Sequence, residues 1–219
     1  MKSVLVISGW AHGIEHIRPM GNALADRFDV RLMTGSDVLE ARHLPEADYI
    51  VTGSMGGLLA MELLPPRCQK LVLISSTAKF CADEGYPCGT PERILKRMIL
   101  QLQRHPEAVL ADFYRNVHHP YAHTCASVGE PLETLVAGLD YLLASDVRAR
   151  VPSIGIPVLL LHGALDRIIP PAAAEWLHAH LPNSELKLFE DDGHALPAHH
   201  FEDVIQETLQ FLQKAPDDE

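Results

Sequence analysis

The sequence predicts an α/β fold in which a mostly parallel sheet carries helices on both faces. The first observation is a set of short, predominantly apolar runs, which are typical of parallel strands covered on both faces. The second is that patterns of helical spacing alternate with these runs. The third is that strand patterns are absent between residues 77 and 146, which indicates a helical insertion. The apolar runs occupy residues 4–7, 49–52, 71–74 and 156–162.

One domain with an insertion accounts for the chain. Its 219 residues are 47% hydrophobic and 21% charged, which is an ordinary composition for a globular domain. We assign residues 1–76 and 147–219 to the sheet-forming core. Residues 77–146 form the insertion, which we expect to lie as a lid over the carboxyl end of the sheet, where such folds place substrate selectivity.

Charge and hydropathy exclude several classes of protein. The net charge of −11 argues against general nucleic-acid binding. No apolar run reaches the roughly 18 residues of a membrane helix, and no secretion signal is recognisable. We therefore expect a cytoplasmic protein whose cysteines are free thiols. We also expect a monomer that needs no cofactor or metal. The cysteines, none of which forms a C-x-x-C pair, are Cys68, Cys81, Cys88 and Cys125.

The first half of the chain reads as alternating strands and helices. The segment S-G-W-A-H-G at residues 8–13 follows the first strand but lacks the G-x-G-x-x-G spacing of a dinucleotide site. An alternative role is a loop whose backbone N–H groups face a reacting group. The elements predicted next are a helix over 17–27, a strand over 30–33 and a short helix that Ser36 and Asp37 cap and Pro45 ends.

The lid and the return to the sheet complete the prediction. Thr90 precedes Pro91 and is predicted to cap the first lid helix. The lid helices are predicted over residues 91–102, 106–117 and 131–143. The sheet resumes with a strand at 156–162, a helix at 172–180, a strand at 185–189 and a closing helix at 201–212.

The stretch at residues 47–64 carries the first chemical signal. A β-branched strand pattern reverses into an apolar helix over G-S-M-G-G, with Ser54 at the apex. So sharp a turn strains the backbone and presents the serine beside the N–H groups of the helix, as in a nucleophile elbow. The usual G-x-S-x-G pattern is incomplete, because Thr52 stands two residues before Ser54. A plain strand–helix junction is the alternative.

Ser54, Asp166 and His194 each follow a predicted strand and so fall at the same edge of the sheet. In a catalytic triad an imidazole takes the proton of the serine hydroxyl, and a carboxylate holds the other ring nitrogen. Considered singly, Asp166 also fits a turn and His194 a surface loop. Together and in this chain order they predict a triad. The histidines read as surface or junction residues are His12, His162, His178, His180, His199 and His200.

A tetrahedral oxyanion requires N–H donors close to the nucleophile. The sequence predicts the backbone N–H of Met55, which follows the serine, and that of Trp10, in the loop after the first strand. Trp10, Met55 and Phe113 are also expected to contact the substrate. Phe113, Tyr114 and Met98 fit an apolar channel for an acyl chain, or else the face on which the lid packs.

With these residues in place, the chain resembles the α/β-hydrolase family over nearly its full length. The segment at residues 151–170 and D-D-G-H-A at 191–195 are similar to the acid and histidine segments of that family. G-W at residues 9–10, the G-S-M-G-G turn and the segment at 138–157 resemble the pimeloyl-[acyl-carrier protein] methyl ester esterases of biotin synthesis. This resemblance implies hydrolysis of the methyl ester of a carrier-bound pimeloyl group, with release of methanol.

The lid offers a physical check on the carrier protein that the resemblance implies. A docking surface for an acidic carrier should be locally basic. Residues 93–115 hold five basic residues against two acidic ones, in a chain of net charge −11. We expect the carrier to contact Arg93, Lys96, Arg97 and Arg104. A solvated helix face is the alternative.

Two departures from the family affect the pocket. Ser8 and Ala11 stand where the family usually has His and Gly in His-Gly-Trp-Gly, and Gly53 replaces a bulky residue before the serine. A general carboxylesterase for small esters is therefore a second candidate function. A catalytically silent fold used for binding is a third, but such folds usually lose part of the triad.

Overall fold

The structure, a computed structural model, describes residues 1–122 and 129–214. Its sheet has six strands in the order β2-β1-β3-β4-β5-β6, and every pairing between neighbours is parallel. This confirms the predicted α/β fold with its parallel sheet. The strands are β1 (Ser3–Ile7), β2 (Asp29–Met33), β3 (Tyr49–Gly53), β4 (Lys70–Ile74), β5 (Val158–Gly163) and β6 (Ser184–Phe189).

Helices cover both faces of the sheet because alternate strand residues face opposite sides. Val4 and Val6 of β1 belong to the apolar core formed with α1 and α9. Leu5 and Ile7 belong to the core shared with α2, α3, α7 and the lid. The helices outside the lid are α1 (Ile14–Ala25), α2 (Gly35–Ala41), α3 (Met55–Glu62), α7 (Pro171–His180), α8 (Leu196–His199) and α9 (Phe201–Gln213).

Two predicted helix caps are wrong. Thr34, rather than Ser36 and Asp37, caps α2; its hydroxyl accepts from the N–H of Asp37, whose carboxylate accepts from the N–H of Thr34. The sequence reading began the helix too late, so that Asp37 falls inside the first turn. Thr90 does not cap the first lid helix, since its hydroxyl donates to Ile168 O at 3.1 Å.

The insertion between β4 and β5 contains α4 (Glu92–Leu102), α5 (Pro106–Val117) and α6 (Leu132–Ala144). Its two ends meet at an isolated antiparallel bridge between Lys79 and Asp146. Val147 N–H donates to Ala78 O at 2.9 Å beside this bridge. Cys125 lies outside the described residues. Among the helices that the structure describes, none has the length and apolar character needed to cross a bilayer.

Candidate active site

Ser54 occupies the turn between β3 and α3, at the carboxyl edge of the sheet. Its φ of 52° and ψ of −123° lie where side-chain-bearing residues are uncommon, and such conformations concentrate at functional sites. A hydrogen bond of 2.9 Å from Ser54 N–H to Ile74 O holds the backbone in this conformation. The turn thus has the strained geometry that the sequence predicts.

Close packing explains the glycines around Ser54. A Cβ added to Gly56 would lie 2.7 Å from Ser8 O, and one added to Gly57 would lie 2.7 Å from the Cβ of Ser76. A Cβ on Gly9, in the loop after β1, would lie 2.9 Å from the Cβ of Ser54. Glycine is therefore required on the helix side of the turn and across from it.

Asp166 and His194, in the loops after β5 and β6, form a buried hydrogen-bonded pair. His194 Nδ1 donates to Asp166 Oδ2 over 2.7 Å. The other carboxylate oxygen accepts from the N–H groups of Ile168 and Ile169, at 2.8 and 2.9 Å. The backbone therefore fixes the carboxylate, and the carboxylate fixes the orientation of the His194 ring.

His162 supplies a second imidazole to the same carboxylate. Its Nε2 lies 3.3 Å from Asp166 Oδ2 and 3.0 Å from Ile169 O, and the ring is buried inside β5 rather than at the surface. Burial acts to raise the pKa of Asp166. The charge of His194 and the hydrogen bonds from His162 and His194 outweigh burial and hold that pKa well below its usual value. The carboxylate is thus ionised at neutral pH.

The hydrogen bond to Asp166 leaves Nε2 of His194 for a second partner. Nδ1 carries the donated proton, so Nε2 of the neutral ring is an acceptor. Ser54 and His194 line the same cavity. Within residues 1–122 and 129–214, however, no hydrogen bond joins the Ser54 hydroxyl to His194. Such contacts are often long before substrate binds, and the triad assignment stays a prediction.

The loop after β1 is fastened at several points around Trp10. The Ser8 hydroxyl donates to His12 O, and His12 Nδ1 donates to Trp10 O at 2.7 Å. Tyr114 of the lid donates its hydroxyl to Ala11 O at 2.5 Å, and Ala11 has a φ of 53°. The loop backbone, to which the predicted N–H donor of Trp10 belongs, is thereby held in one conformation.

The Trp10 side chain joins this loop to the lid. Its Nε1 donates to Leu135 O of α6 at 2.8 Å, and its ring contacts Phe113 edge-on with centroids 4.7 Å apart. A Cβ on Gly138 would lie 2.4 Å from the indole ring, so α6 approaches Trp10 through a glycine. Trp10 and the lid residue Phe113, both predicted substrate contacts, are therefore neighbours.

Met55 begins α3, and its side chain is completely buried. The Met55 Cε lies 2.9 Å from the place that a Cβ on Gly35 would occupy, which shows that the side chain packs into the protein. The predicted contact of Met55 with substrate is therefore limited to its backbone N–H. This group lies at the start of the helix, where N–H donors have no helical partners.

Two cavities meet at Ser54. The lid cavity, of about 380 Å³, is also lined by Trp10, Phe113, Arg97 and Arg167. The α1 cavity, of about 470 Å³, is also lined by His194, and its walls come from α1, α8 and the sheet. Sequence reasoning missed Arg167, although it directly follows Asp166 and shares the strand-end loop of the predicted acid.

Sequence reasoning also missed a second hydrogen-bonded series, in which one aspartate is connected to two histidines. Asp192 is completely buried, and its Oδ1 accepts from His199 Nδ1 at 3.0 Å. His199 Nε2 lies 3.2 Å from Nδ1 of His118, which lines the α1 cavity. No spacing signal reveals this series, because His118 and His199 are 81 residues apart. The described residues contain no group of three or more side chains placed to hold a metal ion.

His12 is a neutral member of the α1 cavity. Burial lowers its pKa to about 3, an effect that its hydrogen bond to Trp10 O partly opposes and that repulsion from His16, His194 and His118 strengthens. At neutral pH the ring is therefore neutral, with its one proton on Nδ1, which donates to the Trp10 carbonyl. Of the two alternatives read from the sequence, surface or junction, His12 fits the junction, because it is buried in the loop after β1.

The predicted basic residues of the lid differ in their surroundings. Arg93, Arg97 and Arg104 are exposed, and none forms an ion pair within the described part of the chain. Lys96 is also exposed but pairs with Glu92 at 2.7 Å. Three guanidinium groups on α4 and just after it thus remain available to an acidic partner.

Comparison with known proteins defines the class of this protein. Residues 4–207 match the model of the alpha/beta hydrolase family. The chain belongs to this family, as the sequence predicts. An esterase from Exiguobacterium antarcticum, EaEST, has the same fold, with a TM-score of 0.83 over 98% of this chain and 94% of that one, at 19% identity.

Two sequence relatives within the family carry the same name. A pimeloyl-[acyl-carrier protein] methyl ester esterase from Nitrosomonas europaea is 35% identical over 169 residues, which cover 71% of this chain and 67% of that protein. A protein of the same name from Aromatoleum aromaticum is 34% identical over 182 residues, 73% of each chain. These relatives confirm the resemblance described above.

Proposed function

We propose that this protein is a serine carboxylesterase that hydrolyses the methyl ester of pimeloyl-acyl-carrier protein in biotin synthesis. The observation that carries the proposal is the buried Asp166–His194 pair, whose histidine lines the same cavity as Ser54 in its strained turn. The names of the relatives supply the substrate. The buried, hydrogen-bonded pair argues against a silent fold.

In the first half of the reaction Ser54 attacks the ester carbonyl. The Ser54 proton passes to His194 Nε2 while Asp166 stabilises the imidazolium that forms. The negative carbonyl oxygen is bound by the N–H groups of Met55 and Trp10. The intermediate then collapses, the bond to the methoxy oxygen breaks, and His194 returns the proton so that methanol leaves.

In the second half a water molecule attacks the acyl-enzyme. His194 Nε2 takes one proton of the water, the oxyanion is bound by the same two N–H groups, and Ser54 leaves with the proton that His194 returns. The product is the free carboxylate of the pimeloyl group, still attached to its carrier. No group beyond this chain and water is required.

The lid cavity fits the acyl chain. Its walls are largely apolar, with Met98, Phe113 and Leu139 among them, and it begins at Ser54 beside Trp10. Arg97 and Arg167 also line it, and both are exposed. A chain whose ester lies at Ser54 can therefore extend beneath the lid toward positive charge, where an acidic carrier would lie.

We assign carrier docking to Arg93, Arg97 and Arg104, with a smaller part for Lys96 because Glu92 already pairs with it. In this assignment the lid, residues 77–146, both covers the acyl chain and receives the carrier. A cytoplasmic location also belongs to the proposal, since the cysteines at positions 68, 81 and 88 are free thiols.

Docking is tested by replacing Arg93, Arg97 and Arg104 together by Ala. We expect kcat/KM for the carrier-linked methyl ester to fall by about 10-fold or more at low salt, because charge complementarity mainly accelerates association. Activity on dimethyl pimelate, which has no carrier, should fall much less. The double replacement of Arg93 and Arg104 by Ala, which spares Arg97 in the wall of the lid cavity, should leave that activity near the wild-type value. Release of methanol measures both reactions.

A matched control removes the same charge elsewhere. Arg27, Arg31 and Arg150 are exposed and line neither cavity. Their replacement by Ala should leave the carrier reaction near the wild-type value. Equal losses in both triple variants, or no loss in the lid variant, would reject docking on the lid. Rapid turnover of dimethyl pimelate without preference for the carrier would favour a general carboxylesterase.

A further inference from the structure

The size of the α1 cavity is not explained by a substrate whose alcohol portion is only a methyl group. It is larger than the lid cavity, at about 470 Å³ against about 380 Å³, and both begin at Ser54. Trp10 lines the lid cavity, whereas His194 lines the α1 cavity. This division matters because the two residues act on different atoms of an ester.

The chemistry assigns the α1 cavity to the alcohol side of the substrate. The oxygen that leaves must take its proton from His194, so the alcohol has to lie in the cavity that His194 lines. The carbonyl oxygen turns toward the N–H of Trp10, and the acyl chain follows the lid cavity. A methyl group would occupy only the first few ångströms of the space on the His194 side.

The walls of the α1 cavity define what else fits. Its floor is made by sheet and helix residues that are almost wholly buried and apolar: Val6, Val51, Ile74 and Met20. Ile17 of α1 and Ala198 of α8 stand at its sides. This composition favours a flexible or aromatic hydrocarbon group over a polar one.

Two of the titratable residues that line this cavity, His12 and Glu15, contribute little net charge; His16, His118 and His194 also line it. His12 is neutral because burial lowers its pKa, and it is already bound to Trp10 O. Glu15 lies at the rim, where Arg18 neutralises it through an ion pair of 2.8 Å. His12 and Glu15 therefore offer no counter-charge to a charged alcohol group, whereas an uncharged one needs none.

We infer that the protein has a second activity: hydrolysis of carboxylic esters whose alcohol portion is bulky, apolar and uncharged, of about benzyl or hexyl size, with the alcohol bound in the α1 cavity. The inference rests on the proposed roles of Ser54 and His194, but it does not require a carrier protein. Ser54 displaces the alkoxide oxygen, His194 protonates it, and water then hydrolyses the acyl-enzyme as above.

The test uses acetate esters of methanol, butanol, hexanol and benzyl alcohol, so that the acyl group is constant and small. Each kcat/KM is divided by the rate of alkaline hydrolysis of the same ester, which removes differences in intrinsic reactivity. We expect benzyl and hexyl acetate to exceed methyl acetate by about 10-fold or more, since hydrophobic pockets discriminate to this extent. Equal values, or a decline with alcohol size, would overturn the inference.

Filling the cavity identifies where the alcohol binds. Ala198→Trp narrows it from α8, and Ile17→Phe narrows it from α1, so either variant serves if the other fails to fold. We expect the benzyl-to-methyl ratio to fall toward one in both. Ala179→Trp, an equally exposed alanine of α7 that lines neither cavity, is the control and should keep the wild-type ratio.

The outcomes separate this inference from the biotin function. A high benzyl-to-methyl ratio that survives both filling variants places the alcohol elsewhere and refutes the assignment of the cavity. A ratio that falls in these variants supports the assignment even if the carrier-linked methyl ester proves a poor substrate. Turnover of the carrier-linked ester with no preference for large alcohols leaves the biotin function standing and rejects the second activity.

Discussion

Asp166 illustrates how neighbours set the behaviour of a single residue. Two backbone N–H groups and two imidazoles surround its carboxylate, which is itself buried. A buried carboxylate without such partners would gain a proton. Here the partners keep it charged, so that it can hold the proton of His194 on Nδ1 and leave Nε2 for the role of base that we propose.

We predict that Asp166→Asn lowers kcat by about 10⁴-fold, because an amide can hold the wrong tautomer of the histidine. The melting temperature, measured alongside kcat, shows whether the fold survives. His162→Gln is the matched control, since it changes another partner of the same carboxylate but not the reacting nitrogen. A loss below 10-fold in Asp166→Asn would contradict the assigned role.

Residue types and their order were enough to predict the Asp166–His194 pair, because each follows a recognisable strand. The partners of these residues could not be predicted in this way. Tyr114 and Ala11 are 103 residues apart in sequence. The hydrogen bonds that connect Asp192 through His199 to His118 likewise join separate segments of the polypeptide. Such contacts depend on how the lid packs on the sheet, and local sequence patterns do not predict that packing.

The loop after β1 and the lid helices behave as one unit. Tyr114 of α5 and Leu135 of α6 both bind this loop, one through the carbonyl of Ala11 and one through the indole of Trp10. In the proposed mechanism the lid therefore helps to position an oxyanion donor in addition to covering the acyl chain. The proposal thus links binding beneath the lid to stabilisation of the transition state.

We predict that Tyr114→Phe lowers kcat by about 10-fold with little change in KM, because small misplacements of a catalytic donor are costly. A short p-nitrophenyl ester is a suitable substrate. Tyr141→Phe is the control: it removes another lid hydroxyl, which bonds to Glu62 at 2.8 Å and lines neither cavity. Similar kinetics in the two variants would show that the Tyr114 bond only stabilises the lid.

At the scale of elements, apolar periodicity located the strands and helices, whereas their ends depend on side-chain contacts. The predicted cap of α2 was placed two residues too late, because Thr34, Ser36 and Asp37 are all plausible caps in sequence. Thr90 instead bonds to the loop that carries Asp166. The two cavities lie between elements, so no single element predicts them.

Across the whole molecule, buried carboxylates link stability to pH. The N–H of Ser3 is the main cause that lowers the pKa of Asp48; hydrogen bonds from Arg67 and the Ser3 hydroxyl add to it, and burial opposes it. Asp166 is shifted in the same direction. Because both folded-state pKa values lie below the unfolded value of about 3.9, their contribution is present above that pH and is lost as the pH falls.

We predict that Asp48→Asn lowers the free energy of unfolding by about 1–3 kcal/mol at pH 7, since it weakens charge-assisted hydrogen bonds. The difference from the wild type should shrink as the pH falls from 5 to 3, where the wild-type carboxylate begins to lose its advantage. Urea unfolding at each pH measures this difference. A constant difference would contradict the pKa shift.

The central claim is that Ser54, activated by His194, is the nucleophile. The most direct measurement is peptide mass spectrometry after reaction with a fluorophosphonate, which modifies activated serines. We predict a single phosphonylated serine, Ser54, with labelling and ester hydrolysis lost together in Ser54→Ala and labelling slowed strongly in His194→Ala. Label on another serine, or hydrolysis that survives Ser54→Ala, would contradict the account.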